Sequence, residues 1–156
     1  MMCRKGIPPA LRPATWLWLS GGAAKQASAP EDYYRNLSSS TSELGEDVLY
    51  SVEQDVCAGF HNHKLISSFK GTEALSRILL ALAQHLSKES VHGSYSYSRG
   101  LARVAALLLI VFGISREEDA FWTLAAVLQG KLFPCGTAEV HCVLCRLPRT
   151  VPCAIT

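Results

Sequence analysis

From Val104 to Ile114 the chain reads VAALLLIVFGI, an apolar run that must be taken out of water. The run is too short to cross a bilayer, which takes about 20 apolar residues. It therefore belongs inside a packed domain, and the flanking residues say how. Between Tyr95 and Gln129 the pattern reads as two helices joined by a tight break. In the first, Leu101 to Phe112, Val104, Leu107, Leu108 and Val111 recur at helical spacing, with Leu109, Ile110 and Phe112 on the other side. A helix apolar all round is expected at the centre of a core. Gly113 ends it, and Ser115 with Glu118 offers a capping box for the second helix. Glu117, Glu118 and Asp119 suit that helix's positive end. Phe121, Leu124, Ala125 and Leu128 give it one apolar face before Gly130.

The rest of the chain supplies helices to pack against this pair. Pro13 fits the first turn of a short helix, and Ala14–Ser20 holds Trp16 and Trp18, closed by Gly21-Gly22. Residues 26–30 read as a linker, and a brief helix over Glu31–Leu37 bears Tyr33 and Tyr34. Thr41 or Ser42 is placed to cap a helix over Glu43–Cys57, where Val48, Val52 and Val56 align with Leu49 beside them. After Phe69-Lys70-Gly71-Thr72 comes an amphipathic helix. Leu75, Ile78, Leu79, Leu82 and Leu86 form its stripe, with Glu73, Arg77, Gln84 and His85 expected to face away. A polar loop, Ser87–Ser98, leads back to the apolar pair. No strand is expected, so the fold class is all-α, with four or five helices.

Composition narrows the function. With 49% hydrophobic and 18% charged residues the chain is not expected to be disordered. A net charge of +2, without basic runs, argues against nucleic-acid binding. Arg4 and Lys5 before Ala14–Ala24, with Ala27-Ser28-Ala29, have the outline of a secretory leader. Arg12, three prolines and the tryptophans argue against it. His61 and His63 would ligate a metal only with further ligands, and read as loop histidines. Cys135, Cys142, Cys145 and Cys153 crowd the end, with His141 beside Cys142-x-x-Cys145, yet no second tight pair completes a zinc set. That segment reads as an irregular tail of reduced thiols, and no metal or cofactor is expected. No phosphate-cradling glycine loop or nucleophile elbow is present.

The order of the motifs resembles the first part of a TBC domain, the helical domain of Rab GTPase-activating proteins. Gly6-Ile7-Pro8 with Leu11-Arg12 and Trp16 resembles the family's opening. Val52-x-x-Asp55 with Phe60 is similar to its Ile-x-x-Asp-x-x-Arg-Thr-Phe-Pro motif. Gly71, Leu75, Arg77, Ile78 and Leu79 follow its Gly…Leu-x-Arg-Val-Leu helix. Tyr97-Ser98-Arg99-Gly100-Leu101 falls where Tyr-x-Gln-Gly is expected, and Glu118-Asp119-Ala120-Phe121-Trp122-x-Leu124 matches Glu-x-Ala-Phe-Trp-x-Leu.

The resemblance implies a GTP-bound Rab as partner and a two-finger mechanism of activation. The motif arginine would stabilise charge on the transferring phosphoryl group, an effect worth about 10³ to 10⁵ in rate. The motif glutamine would hold the attacking water, because its amide both donates and accepts. Here the arginine slot is Ala58 and the glutamine slot is Arg99, which only donates. Gly59 and His61 replace the flanking threonine and proline, Ser96 and Ala102 replace a glycine and an asparagine, and Lys88–Ser94 lengthens the preceding loop. Asp55, Phe60, Tyr97, Arg99 and Gly100 are the GTPase-contacting positions on this match. The expected organisation is a start at 1–5, a partial TBC domain at 6–133 and the cysteine-rich tail at 134–156. A truncated product is expected, impaired in activation, cytoplasmic or peripheral to endomembranes. Its uncovered apolar surface would favour self-association. A non-catalytic module that grips a Rab or a partner helix is the alternative.

Overall fold

The computed structural model describes residues 6–40, 44–58, 63–89 and 97–129. Every regular element among them is helical. In chain order these are α1 (Arg12–Leu19), α2 (Gly22–Ser28), α3 (Tyr33–Ser39), α4 (Glu46–Ala58), α5 (Phe69–Glu89), α6 (Gly100–Phe112) and α7 (Glu117–Gln129), with 3₁₀ turns at Pro9–Leu11 and Ile114–Arg116. The expected all-α class holds. The helices outnumber the four or five expected, and one of them has no counterpart in the sequence reading. It is α2, in a segment whose second half reads as linker by composition; Gly21, at φ 83°, turns the chain directly from α1 into it.

The packing has two inner helices. α7 is lodged among α1, α2, α5 and α6, and α5 packs in turn against α3, α4 and α6. From Ala120 to Ala126 every residue of α7 is buried, so it has no outer face at all. It is α7, more than α6, that fills the place expected of an all-round apolar helix. On α6 the core takes Leu101, the alanines 102, 105 and 106, Leu108, Leu109 and Phe112. Val104, Leu107 and Ile110 stay exposed, Leu107 by 52%. The face that α6 turns to the core thus joins three alanines to three leucines and a phenylalanine. Gly113 ends α6 as expected, donating its N–H to Leu109 O at 2.9 Å.

On α5 the core reaches further round than the stripe suggests. Gln84 and His85 are buried, contrary to expectation, because α3 and α7 close over the C-terminal half of the helix. His85 lies edge-on to Phe121, Trp122 and Tyr33. Its imidazole is paired on both sides, to Tyr33 Oη through Nδ1 at 2.9 Å and to Gln129 Nε2 through Nε2 at 3.0 Å. Lys25 Nζ donates to Gln129 Oε1, so the Gln129 amide nitrogen is the group facing His85. These part-buried bonds tie α2, α3, α5 and α7 together and give each nitrogen of the buried His85 ring a partner. Trp16 packs on the core, but Trp18 is 74% exposed, so only one of the α1 tryptophans does what their density suggests.

Glycine fixes the entry to α5. Ser68 Oγ accepts from Gly71 N at 3.1 Å, an N-cap, while Thr72 Oγ1 donates to Ile66 O at 3.1 Å. These bonds press the 64–68 turn onto the helix. A Cβ at position 71 would stand 1.9 Å from Leu65 O and 2.9 Å from Ile66 Cα, both backbone atoms that cannot swing aside. Gly22 allows a similar approach of α2 to α7, where a Cβ would meet Thr123 N at 3.1 Å. We expect Gly71→Ala to cost about 3 kcal/mol, the range of a forced backbone shift. Chemical denaturation measures it; a loss smaller than about 0.5 kcal/mol would show that the turn does not press on α5.

Candidate functional site

The positions that the sequence singles out fall on two helices that touch, α4 and α6. Ala58 is the last residue of α4 and Gly100 the first of α6. Asp55, one turn before the end of α4, is half-buried, and its Oδ2 has no hydrogen-bond partner among the described residues. Tyr97 packs against the core at the approach to α6. Arg99 occupies the N-cap of α6 in helical geometry, exposed and without a capping bond. A guanidinium there faces the positive end of the helix, a mildly unfavourable place for it. Arg103, one turn on, is also exposed. Phe60 and His61 lie outside the described residues, as do the capping residues Thr41 and Ser42 and the tail cysteines. His63 is exposed, and no cluster of metal-ligating side chains occurs among the described residues.

The motif residues further along the chain do a different job. Arg77 of α5 meets Glu117 of α7 as a fork, Nη2 to Oε2 at 2.8 Å and Nε to Oε1 at 3.1 Å. The hydrogen bonds to Glu117 hold the Arg77 guanidinium charged even more firmly than usual. Glu73 reaches the same guanidinium at 4.0 Å. Tyr34 Oη is buried close to Glu117 without a well-formed bond, and burial, then the Glu117 charge, pushes its pKa far up. Glu118 takes Trp122 Nε1 at 3.2 Å, one turn along α7, so the expected capping partner of Ser115 serves the indole instead. Ser115 itself lies in the 3₁₀ turn that precedes α7.

Sequence reading missed the Arg77–Glu117 link, since nothing local joins residues 40 apart. The Glu118–Trp122 link was available as an i,i+4 pair of a carboxylate and an indole N–H. The first link holds α5 to α7 and the second lies within α7. The groups that the α4–α6 pair offers are an exposed cation, Arg99, and a half-buried carboxylate, Asp55.

Comparison with known proteins places this arrangement. The sequence model of the Rab-GTPase-TBC domain matches residues 9–137. The chain belongs to the RabGAP-TBC family. Small G protein signaling modulator 3 of Homo sapiens is 30% identical over 129 residues, 81% of this chain and 16% of that protein. TBC1 domain family member 2A of Bos taurus is 31% identical over 132 residues, 82% of this chain and 13% of that protein. A solved structure, the Chlamydomonas flagellar RabGAP TBC domain, superimposes with a TM-score of 0.70 at 32% identity, over 82% of this chain and 41% of the other. The chain thus spans less than half of the solved TBC chain and a small part of its curated relatives. Within the described residues no helix is long and apolar enough to cross a membrane.

In this TBC chain the Arg77–Glu117 fork is the test of what the motif arginine does. Lysine keeps the charge but not the planar pair of donors. Arg77→Lys is expected to lower stability by about 1–2 kcal/mol, discounted for the partial exposure of both partners. Urea unfolding checks this; unchanged stability would mean the fork is a surface contact of no consequence.

Proposed function

We infer that this TBC chain engages a GTP-bound small GTPase of the Rab family but contributes little to GTP hydrolysis. It acts as a GTPase-activator family protein and not as an enzyme in its own right, within vesicle traffic. The observation that carries the reading is the pair of residues at the two finger positions, Ala58 closing α4 and Arg99 opening α6. Alanine carries no charge to set against the transferring phosphoryl group. Arg99 cannot accept from a water, so it cannot hold one in line for attack. Asp55, Phe60, Tyr97, Arg99 and Gly100 are the residues we assign to contact with the GTPase. Residues 6–133 form the TBC portion and 134–156 a separate tail. The chain works in the cytoplasm, at the surface of endomembranes, without a metal or cofactor.

Arg99 also supports a purely binding role. An exposed guanidinium at a helix start suits an anionic partner surface better than it suits catalysis. Single-turnover hydrolysis with a panel of GTP-loaded Rabs tests the reading, alongside nucleotide-dependent pulldown. We expect a Rab to be retained in its GTP form while its hydrolysis stays within about twofold of the intrinsic rate. Stimulation of about 10³ or more, abolished by Arg99→Ala, would assign Arg99 as a working finger and overturn the reading.

A further inference from the structure

A groove lies between α4 and α5, about 370 Å³ in volume, within the range of sites that receive large side chains. Leu49 and Val56 form one wall and Leu80 and Phe69 the other, over a floor made by the fully buried Val52. Phe69 is the first residue of α5 and is 78% exposed, a large aromatic left in water at the groove's edge. The charged residues lining the groove are both carboxylates, Glu53 and Glu73. Glu73 reaches Arg77 only at 4.0 Å, and Glu53 has no ion pair among the described residues. An apolar trough with the carboxylate of Glu53 on its rim, unpaired among the described residues, calls for an occupant that is apolar in the middle and basic at the side.

The walls also decide the backbone of that occupant. Both are helices, whose N–H and C=O groups are already paired internally, so no edge is offered to an extended strand. A guest helix satisfies its own backbone and needs only side-chain contacts. We propose that the α4–α5 groove is a docking site for an amphipathic helix of a partner protein, with apolar anchors one turn apart and lysine or arginine beside them. The anchors sit on Leu49, Val56 and Leu80 under Phe69, and the basic residue meets Glu53. This site uses neither Arg99 nor Ala58, so it stands whether or not the chain accelerates hydrolysis. Cys57, an exposed free thiol that also lines the groove, provides a reporter within it.

The test is fluorescence anisotropy of the full chain with two helical peptides that share leucine anchors one turn apart, one flanked by lysines and one by glutamates. The lysine peptide is expected to bind at least about tenfold more tightly, and to slow maleimide labelling of Cys57. Glu53→Lys is expected to erase the preference, and Phe69→Ala to weaken the lysine peptide about tenfold. Both residues are exposed, so the folded state survives these changes, and circular dichroism verifies that. Equal binding of the two peptides, failure of both to bind, or binding indifferent to Glu53→Lys and Phe69→Ala would overturn the proposal. So would a dimer dispersed by Phe69→Ala that binds neither peptide, because the groove would then serve a second copy of this chain.

Discussion

Everything in this domain leans on the burial of α7. Seven consecutive residues, Ala120 to Ala126, are taken out of water on every side. Phe121 and Trp122 lie at its N-terminal end, with ring centroids 5.0 Å apart, and gather Tyr34 and Tyr33 from α3 and His85 from α5 around them. Adjacent residues on a helix point in different directions, so the two rings carry the core in two directions at once. Phe121 faces Tyr34, and Trp122 stacks on Tyr33 at 5.6 Å. Aromatic pairs of this kind add roughly 0.5–1.5 kcal/mol each beyond the area they bury. The short α2 and α3 would be too weak to form alone, and they persist because they close over this cluster.

Charge then fixes how the helices are set. The Arg77–Glu117 fork joins the two inner helices at the start of α7, and the Lys25–Gln129–His85–Tyr33 chain joins them again at its end. A hydrophobic core alone tolerates sliding of one helix along another. Paired polar groups at both ends of α7 resist it, because a shift would part these half-buried groups from their partners.

The parts of the fold that were legible in the sequence are those written in local periodicity: α4 to within a few residues, α5, α6 with Gly113, and α7 with its acidic first turn. What escaped was set by tertiary contact. Gln84 and His85 are polar, so a helical wheel turns them outward; α3 and α7, far away in sequence, bury them. Val104, Leu107 and Ile110 are apolar, so the wheel turns them inward, yet α6 turns the face bearing its three alanines to the core and leaves them exposed. α2 escaped because Gly22 to Ser28 holds only small and polar residues, with no apolar period to read. The proposed finger positions, Ala58 and Arg99, rest on resemblance, since alanine and an exposed arginine carry no chemical signal of their own. Arg77, Glu118, Phe121 and Trp122, which lie in the motifs that resemble the family's, are residues that hold the fold of this chain.

Native-state hydrogen exchange tests most directly whether α7 is the element on which the rest depends. The amides of Ala120 to Ala126 should exchange among the slowest in the domain, together with those of the buried half of α5, and only through global unfolding. The α6 amides facing Val104, Leu107 and Ile110 should exchange sooner. Exchange in α7 as fast as in α3 or α4, or slower exchange throughout α6 than in α7, would contradict the account.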